Sequence, residues 1–373
     1  MENYPPVPFP KRQAPKQTSL GSFFTTLATN TMNTLSSSLV PHYTYEGNPY
    51  IFNTVCDCLN RMDYTGLEYQ CTNGIPAELR CYIWYALLLR PTDPWEIRAL
   101  YSEAQGTQYR SMQSMLKNID SAGLQEMQEI SKIDSKTLRV IECDIVRTFP
   151  EGAEYLFKMP EIVQMLKRIL IIYSIIHTNR GYFQGLNDIV GLLIVAFLEP
   201  RQYDGVFVLP TEDVLFQSES TVYFILESIM EKLYPNNSTV FHVDHLMTKF
   251  INTIDDYFDL IAGSQINRPN SDIVKQQTYR WFVCLFSREF HYHMTFAIWD
   301  NFIVRNGFTE FIIFFALSMI LTVTGKYNTS DIEKFNDSLK AFLNQMKGDD
   351  LCGIITTAYT HQQSFNTIGN VVY

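Results

Sequence analysis

The chain has 373 residues, 46% of them hydrophobic and 14% aromatic, enough to bury a sizeable core in one large domain or two ordinary ones. A formal net charge of −10, with no phosphate-gripping basic run, argues against nucleic acid as a partner. The most apolar runs, 189–198 and 311–323, fall short of the ~20 residues that cross a bilayer and read as buried helices.

In chain order, residues 1–49 read as a flexible N-terminal region. Its first nineteen residues place Pro5, Pro6, Pro8, Pro10 and Pro15 among lysines and arginines, a composition expected to be disordered and unlike a secretory signal. Segment 20–40, LGSFFTTLATNTMNTLSSSLV, carries no charge and spaces Leu20, Phe23, Phe24, Leu27, Met32, Leu35 and Leu39 close to a helical period. Two readings are open. One is an interfacial helix in peripheral contact with curved, loosely packed membrane, for instance Golgi or endosomal. The other is a Ser/Thr-rich disordered linker, or a segment docked on the domain, which the weak helix propensity of Ser and Thr favours. From about Tyr50 the periodicity is helical throughout, with scarce period-two alternation and no strand–helix alternation. The expectation is an all-α fold, a single large multi-helix domain over 50–346, with loops at 199–217 and 263–272. Residues 347–373 are expected to form a C-terminal tail, its last stretch, 353–373, weakly patterned and frayed or disordered. Seven scattered cysteines, mostly in apolar stretches, read as reduced core residues of a cytoplasmic protein.

No self-contained active site is visible. GxxxxGK[ST], GxGxxG, HExxH and GxSxG patterns are absent. His242 and His245 share helical spacing without a third ligand and read as solvated helix residues, so no metal site is expected. Three clusters remain. In GIPAELRCYIW (74–84), Arg80 and Trp84 share a helix face and read as core anchors. In IECDIVRTFPE (141–151), Ile141, Ile145 and Phe149 stack on one face. Arg147 points away from them with Asp144 at i−3, and Pro150 stops the helix. Alone, Arg147 reads as a last-turn arginine paired with Asp144. In RGYFQGLNDIV (180–190), Gly181 and Gly185 bracket Gln184 near a helix start that Asn187 or Asp188 can cap. An arginine and a glutamine are the residue types that accelerate nucleotide triphosphate hydrolysis, one neutralising phosphoryl charge and the other orienting water. A chain with both and no nucleotide site of its own would work in trans on a GTPase.

Three ordered motifs, Gly74 to Trp84, Ile141-Asp144-Arg147 and Gly181 to Asp188, make the chain resemble the TBC family of Rab GTPase-activating proteins over roughly residues 50–345. Later echoes include Arg280-Trp281, Ser287 to Phe290 and Ile298-Trp299-Asp300. The resemblance implies that Arg147 is an arginine finger and Gln184 a glutamine finger, supported by Asp144, Tyr182, Asn187 and Asp188. It also implies structural roles for Arg80, Trp84, Trp281 and Trp299. The partner would be a GTP-bound Rab that brings its own GTP and Mg²⁺, the chain needing no cofactor, and the outcome would be regulation of vesicle trafficking. A catalytically silent scaffold that binds a Rab or another protein is the competing reading.

Overall fold

Local capping chemistry marks where the chain enters its helices. The computed structural model describes residues 44, 47, 51–121, 133–198, 202–203, 206–207, 209–234, 241–259, 270–326 and 332–372. Segment 20–40 lies outside them. Fifteen α-helices occur among the described residues: α1 (Phe52–Arg61), α2 (Tyr64–Gln70), α3 (Arg80–Leu89), α4 (Pro94–Ala99) and α5 (Glu103–Ser121). Then follow α6 (Ser135–Ile145), α7 (Pro160–Ile176), α8 (Leu186–Leu198), α9 (Glu212–Leu233) and α10 (His242–Tyr257). The last five are α11 (Ser271–Val283), α12 (Tyr292–Val304), α13 (Phe311–Lys326), α14 (Ile332–Gln345) and α15 (Gly348–Val372). Asp134 opens α6 by accepting the Thr137 N–H at 2.8 Å, and Asp93 opens α4 by accepting the Trp95 N–H at 2.8 Å, with Pro94 at the first position. A two-residue antiparallel ladder, Gln202–Tyr203 against Val206–Phe207, is the only sheet among the described residues. The fold is all-α, as expected.

Helix α8 is the axis of the core. Every residue from Leu186 to Leu198 is buried, because α3, α6, α7 and α9 pack around it. That explains why its sequence shows no polar face. Around it, one carboxylate ties distant parts of the chain. Asp300 on α12 accepts from Arg80 Nε at 3.0 Å, from Arg80 Nη2 at 3.1 Å and from the Trp84 indole N–H at 2.8 Å. Trp84 in turn meets Phe296 edge-on at 5.4 Å and Trp299 at 6.0 Å.

The structure corrects several expectations. The stretch from 353 to 372 does not fray: α15 runs to Val372 and buries Leu351, Ile355, Ala358 and Tyr359. Tyr359 stacks on Phe311 at 4.4 Å, lies under the Arg305 guanidinium and hydrogen-bonds Asn301. The spacing 351, 355, 358, 359 is amphipathic, but Gly, Thr and Ser around it mask the helix propensity. Helix α9 begins at Glu212, inside the expected 199–217 loop. Helix α6 ends at Ile145, not Phe149. After Ile145 the chain tightens, the Arg147 N–H donating to the Asp144 carbonyl and the Thr148 N–H to the Ile145 carbonyl, each at 3.1 Å, while the Thr148 hydroxyl donates to the Asp144 carbonyl at 2.8 Å and Phe149 is 55% exposed. His242 is not solvated; it is buried, its Nδ1 lies 3.0 Å from the Tyr234 hydroxyl, and Phe183 and Phe241 pack edge-on against its ring. His245 is exposed. Five of the seven free cysteines are buried, Cys56 is half-buried and Cys143 is exposed.

Two outcomes follow from these burials. Asp300→Ala strips a buried guanidinium of its carboxylate and should cost about 3–5 kcal/mol in urea unfolding, with an unchanged m value; a loss below about 1 kcal/mol would show that water replaces the pair. Burial also holds the His242 imidazole down at about 4, and His361 is held there too. The unfolded chain then binds protons that the folded chain refuses, so stability is intact above the ordinary histidine value and falls as pH drops from about 6.5 to 4. His242→Gln should make that fall shallower by about 3 kcal/mol between pH 7 and pH 4, measured by urea midpoints at each pH.

Candidate functional site

The site forms where three irregular segments meet at one end of α8. The first is the turn after α6, residues 146–149. The second is the glycine-bracketed stretch 181–185, and the third is the turn from α11 to α12, residues 284–291.

Asp144, fully buried in the last turn of α6, is the hub. Its Oδ1 accepts from Arg147 Nε at 3.0 Å and from Arg147 Nη2, and its Oδ2 accepts from the Tyr182 hydroxyl. Asn187 links the two loops. Its Oδ1 accepts the Gly185 N–H at 3.0 Å and lies 3.1 Å from the Tyr182 hydroxyl, while its Nδ2 donates to Thr148 Oγ at 2.9 Å. Asn187 therefore acts as a clamp on the preceding turn, from within the first turn of α8. Burial raises the Tyr182 phenol well above its ordinary value and the Asp144 acceptor adds to this, so Tyr182 stays a proton donor. Asp188 pairs through Oδ2 with Arg288 Nε at 2.8 Å.

The stretch 181–185 is held at both ends. Gly181 and Gly185 have φ of +62° and +112°, in the region glycine tolerates. Phe183 meets Phe241 and His242 edge-on, each at 5.3 Å. A Cβ at Gly185 would fall 2.6 Å from Val283 Cγ1 and 3.0 Å from Cys284 Sγ, so only glycine lets this turn rest on the end of α11. Between these anchors Gln184 is exposed. Arg147 is half exposed, at 52% of its side chain, and lines an open cleft of about 330 Å³ together with Phe149, Asp188, Arg280 and Arg288. Val146 and Phe149, 83% and 55% exposed, flank the arginine with apolar surface.

The structure thus brings together Asp144, Arg147, Tyr182, Asn187 and Asp188, with Gln184 on a segment bonded into the same network. Arg80, Trp84 and Trp299 are buried in the scaffold, outside the cleft, and Trp281 packs on Phe286 at 5.2 Å beneath the 284–291 turn. Sequence reasoning missed Thr148, which joins the Asp144 carbonyl to Asn187, and left Arg288 without a role. Thr148 directly follows Arg147 and was open to inspection. Arg288 lies a hundred residues from Asp188, and nothing local pairs them. Among the described residues no group of three or more His, Cys, Asp or Glu side chains is placed to hold a metal ion, and no helix is long and apolar enough to cross a membrane.

These features define an all-helical scaffold that presents one aimed arginine and one exposed glutamine beside an open cleft. Residues 77–326 match the family model described as the Rab-GTPase-TBC domain, and the chain belongs to that family. Relatives include the GTPase-activating protein gyp1 of Schizosaccharomyces pombe, 24% identical over 271 residues covering 70% of this chain and 50% of that protein. TBC1 domain family member 22A of Homo sapiens is 25% identical over 197 residues, 51% of this chain and 37% of that protein. The chain spans half the length of the first of these relatives and less of the second. Among solved structures, the crystal structure of the Ypt/Rab-GAP domain of Gyp1p superposes with a TM-score of 0.62 at 18% identity, covering 83% of this chain and 99% of that one, a likeness of fold.

Gly185→Ala should be strained by both its φ and the Val283 contact, at a cost of about 2–4 kcal/mol in thermal or urea unfolding. Gly181→Ala meets no atom within 4 Å and carries only the backbone strain, so it should cost less. Equal losses at the two positions would mean that the Val283 contact relaxes freely.

Proposed function

We propose that the protein is a GTPase-activating protein for a Rab-family small GTPase. It supplies Arg147 and Gln184 to a GTP-bound partner, and in that role it regulates vesicle trafficking from the cytoplasm. The observation that carries this reading is Arg147: half exposed at a cleft, yet anchored by two of its N–H donors on a buried carboxylate. A guanidinium has five N–H donors, so three remain for a partner. A surface ion pair would have both members solvated; here Asp144 is buried and Tyr182 completes its shell, so the arginine is aimed.

The chemistry follows from the residue types. As the γ-phosphoryl group leaves, negative charge builds on its oxygens and on the bridging oxygen, and a fixed guanidinium neutralises it without reorganising. The Gln184 amide, with one acceptor and two donors, can orient the attacking water. GTP and Mg²⁺ belong to the partner. The exposed Val146 and Phe149 offer the apolar contact that would seat the partner around the arginine. The names of the relatives, GTPase-activating protein gyp1 among them, support the same activity.

The test is stimulated GTP hydrolysis across a panel of Rab proteins. Wild type should accelerate at least one. Arg147→Ala should lose roughly 10³–10⁵ of that stimulation, and Arg147→Lys should not restore it, because lysine lacks the planar fork. Gln184→Ala should lose on the order of 10²-fold or more through misplaced water. If wild type binds a Rab but accelerates none, the silent scaffold is correct; if Arg147→Ala is as active as wild type, the two-finger mechanism is wrong.

A further inference from the structure

Asp188 and three arginines, Arg147, Arg280 and Arg288, line the cleft, buried Asp144 lies beside Arg147, and the pairing among them is selective. The Asp144 and Asp188 side chains are only 1% and 10% exposed. Asp144 takes Arg147 and Asp188 takes Arg288, while the third cation, Arg280, is held by both oxygens of Glu289 at 2.7 and 2.9 Å. Asp188 lines the same cleft as Arg147. Burial pushes the Asp188 carboxyl above its ordinary value; Arg288 is the main influence opposing that rise, Asp144 adds to it, and Arg147 also opposes it. Arg147 is therefore within electrostatic reach of Asp188 as well as of Asp144. A desolvated carboxylate deprived of its counterion is strongly unfavourable and draws the nearest available cation.

We infer that Arg288 is a positioning residue which, by occupying Asp188, keeps that carboxylate from capturing Arg147 and leaves the arginine on Asp144 with its remaining donors facing the cleft. The segment that delivers Arg288 is built rigidly. Leu285 and Phe286 both adopt left-handed backbone, at φ +49° and +65°, an unfavourable conformation for two successive residues with side chains. It persists because the Trp299 indole N–H donates to the Leu285 carbonyl at 2.8 Å and the Phe286 N–H donates to the Trp281 carbonyl at 2.9 Å. Trp281 and Trp299 thus reach the site through the arginine they place. This inference rests on Arg147 being the residue offered to the partner, as proposed above.

Two readouts test it, one independent of any GTPase. In crystal structures of the full chain, Arg288→Ala should show the Arg147 guanidinium within hydrogen-bond distance of Asp188. In Arg288→Ala/Asp188→Asn it should be back on Asp144 alone. Arg147 resting on Asp144 alone in the Arg288→Ala structure overturns the inference. In stimulated hydrolysis, Arg288→Ala should lower kcat by about 10²-fold, the cost of a misplaced catalytic group, with a smaller change in KM. Adding Arg288→Ala to Asp188→Asn should then cost less than threefold beyond Asp188→Asn itself. A purely structural Arg288 would lower activity equally with and without Asp188→Asn, and that result also overturns the inference. Should Arg288→Ala fail to fold, Arg288→Gln keeps a hydrogen bond to Asp188 without the charge and carries the same expectations. If wild type accelerates no Rab, the functional reading fails, and the position of Arg147 in the crystal structures still decides the role of Arg288.

Discussion

A buried carboxylate must have its lone pairs met from within the protein, and at Asp144 that requirement organises the whole site. Its two oxygens hold Arg147 and Tyr182, and its backbone carbonyl holds Thr148. The same residue therefore sits in the last turn of α6, holds the turn that follows and orients the arginine. Because Tyr182 belongs to the stretch before α8, the acceptor on α6 also ties down the segment that carries Gln184. Asp300 performs the corresponding task for the scaffold, joining residues 80 and 84 to residue 300. Each carboxylate is expensive to bury alone and specific once its donors are in place.

The arrangement separates rigidity from reach. Phe183 and Gly185 are packed, and Asn187 is buried, while Gln184 between them is exposed. Likewise Asp144 is buried and Thr148 is buried, while Val146, Arg147 and Phe149 project. In both segments the exposed side chain is flanked by groups whose positions the core dictates. The partner proposed above would therefore meet side chains whose backbones are already ordered, which would lower the entropic cost of forming a productive complex.

Much of this was legible in the sequence, for identifiable reasons. Helical periodicity announces most of the helices, and the three glycine- and arginine-bearing motifs announce the site, because each is a local signal read within a dozen residues. Where competition between neighbours decided the outcome, local reading failed. At Phe149 the 141, 145, 149 spacing pointed inward, but the backbone tightens into i→i−3 turns at Arg147 and Thr148 and the helix ends four residues earlier. At residues 348–372 weak propensity concealed a helix that packing on α13 stabilises. At His242 a metal-like spacing suggested a solvated face, whereas an aromatic pocket buries the ring. The Asp188–Arg288 and Asp300–Arg80 pairs span 100 and 220 residues, and no pattern in one chain announces such a match.

The burial of α8 on every side bears on when the site comes into being. Its neighbours α3, α6, α7 and α9 come from residues 80–89, 135–145, 160–176 and 212–233, so the helix cannot acquire its environment until segments spread over residues 80–233 have come together. Such non-local contacts form late and cooperatively. The clamp of Asn187 on Thr148 and Gly185 depends on α8 being seated. A partly folded chain would therefore carry the arginine and the glutamine on unrelated, mobile segments. Ordered presentation of the two side chains becomes a property of the completed core, and the helix that looks least functional in composition is the one that times their appearance.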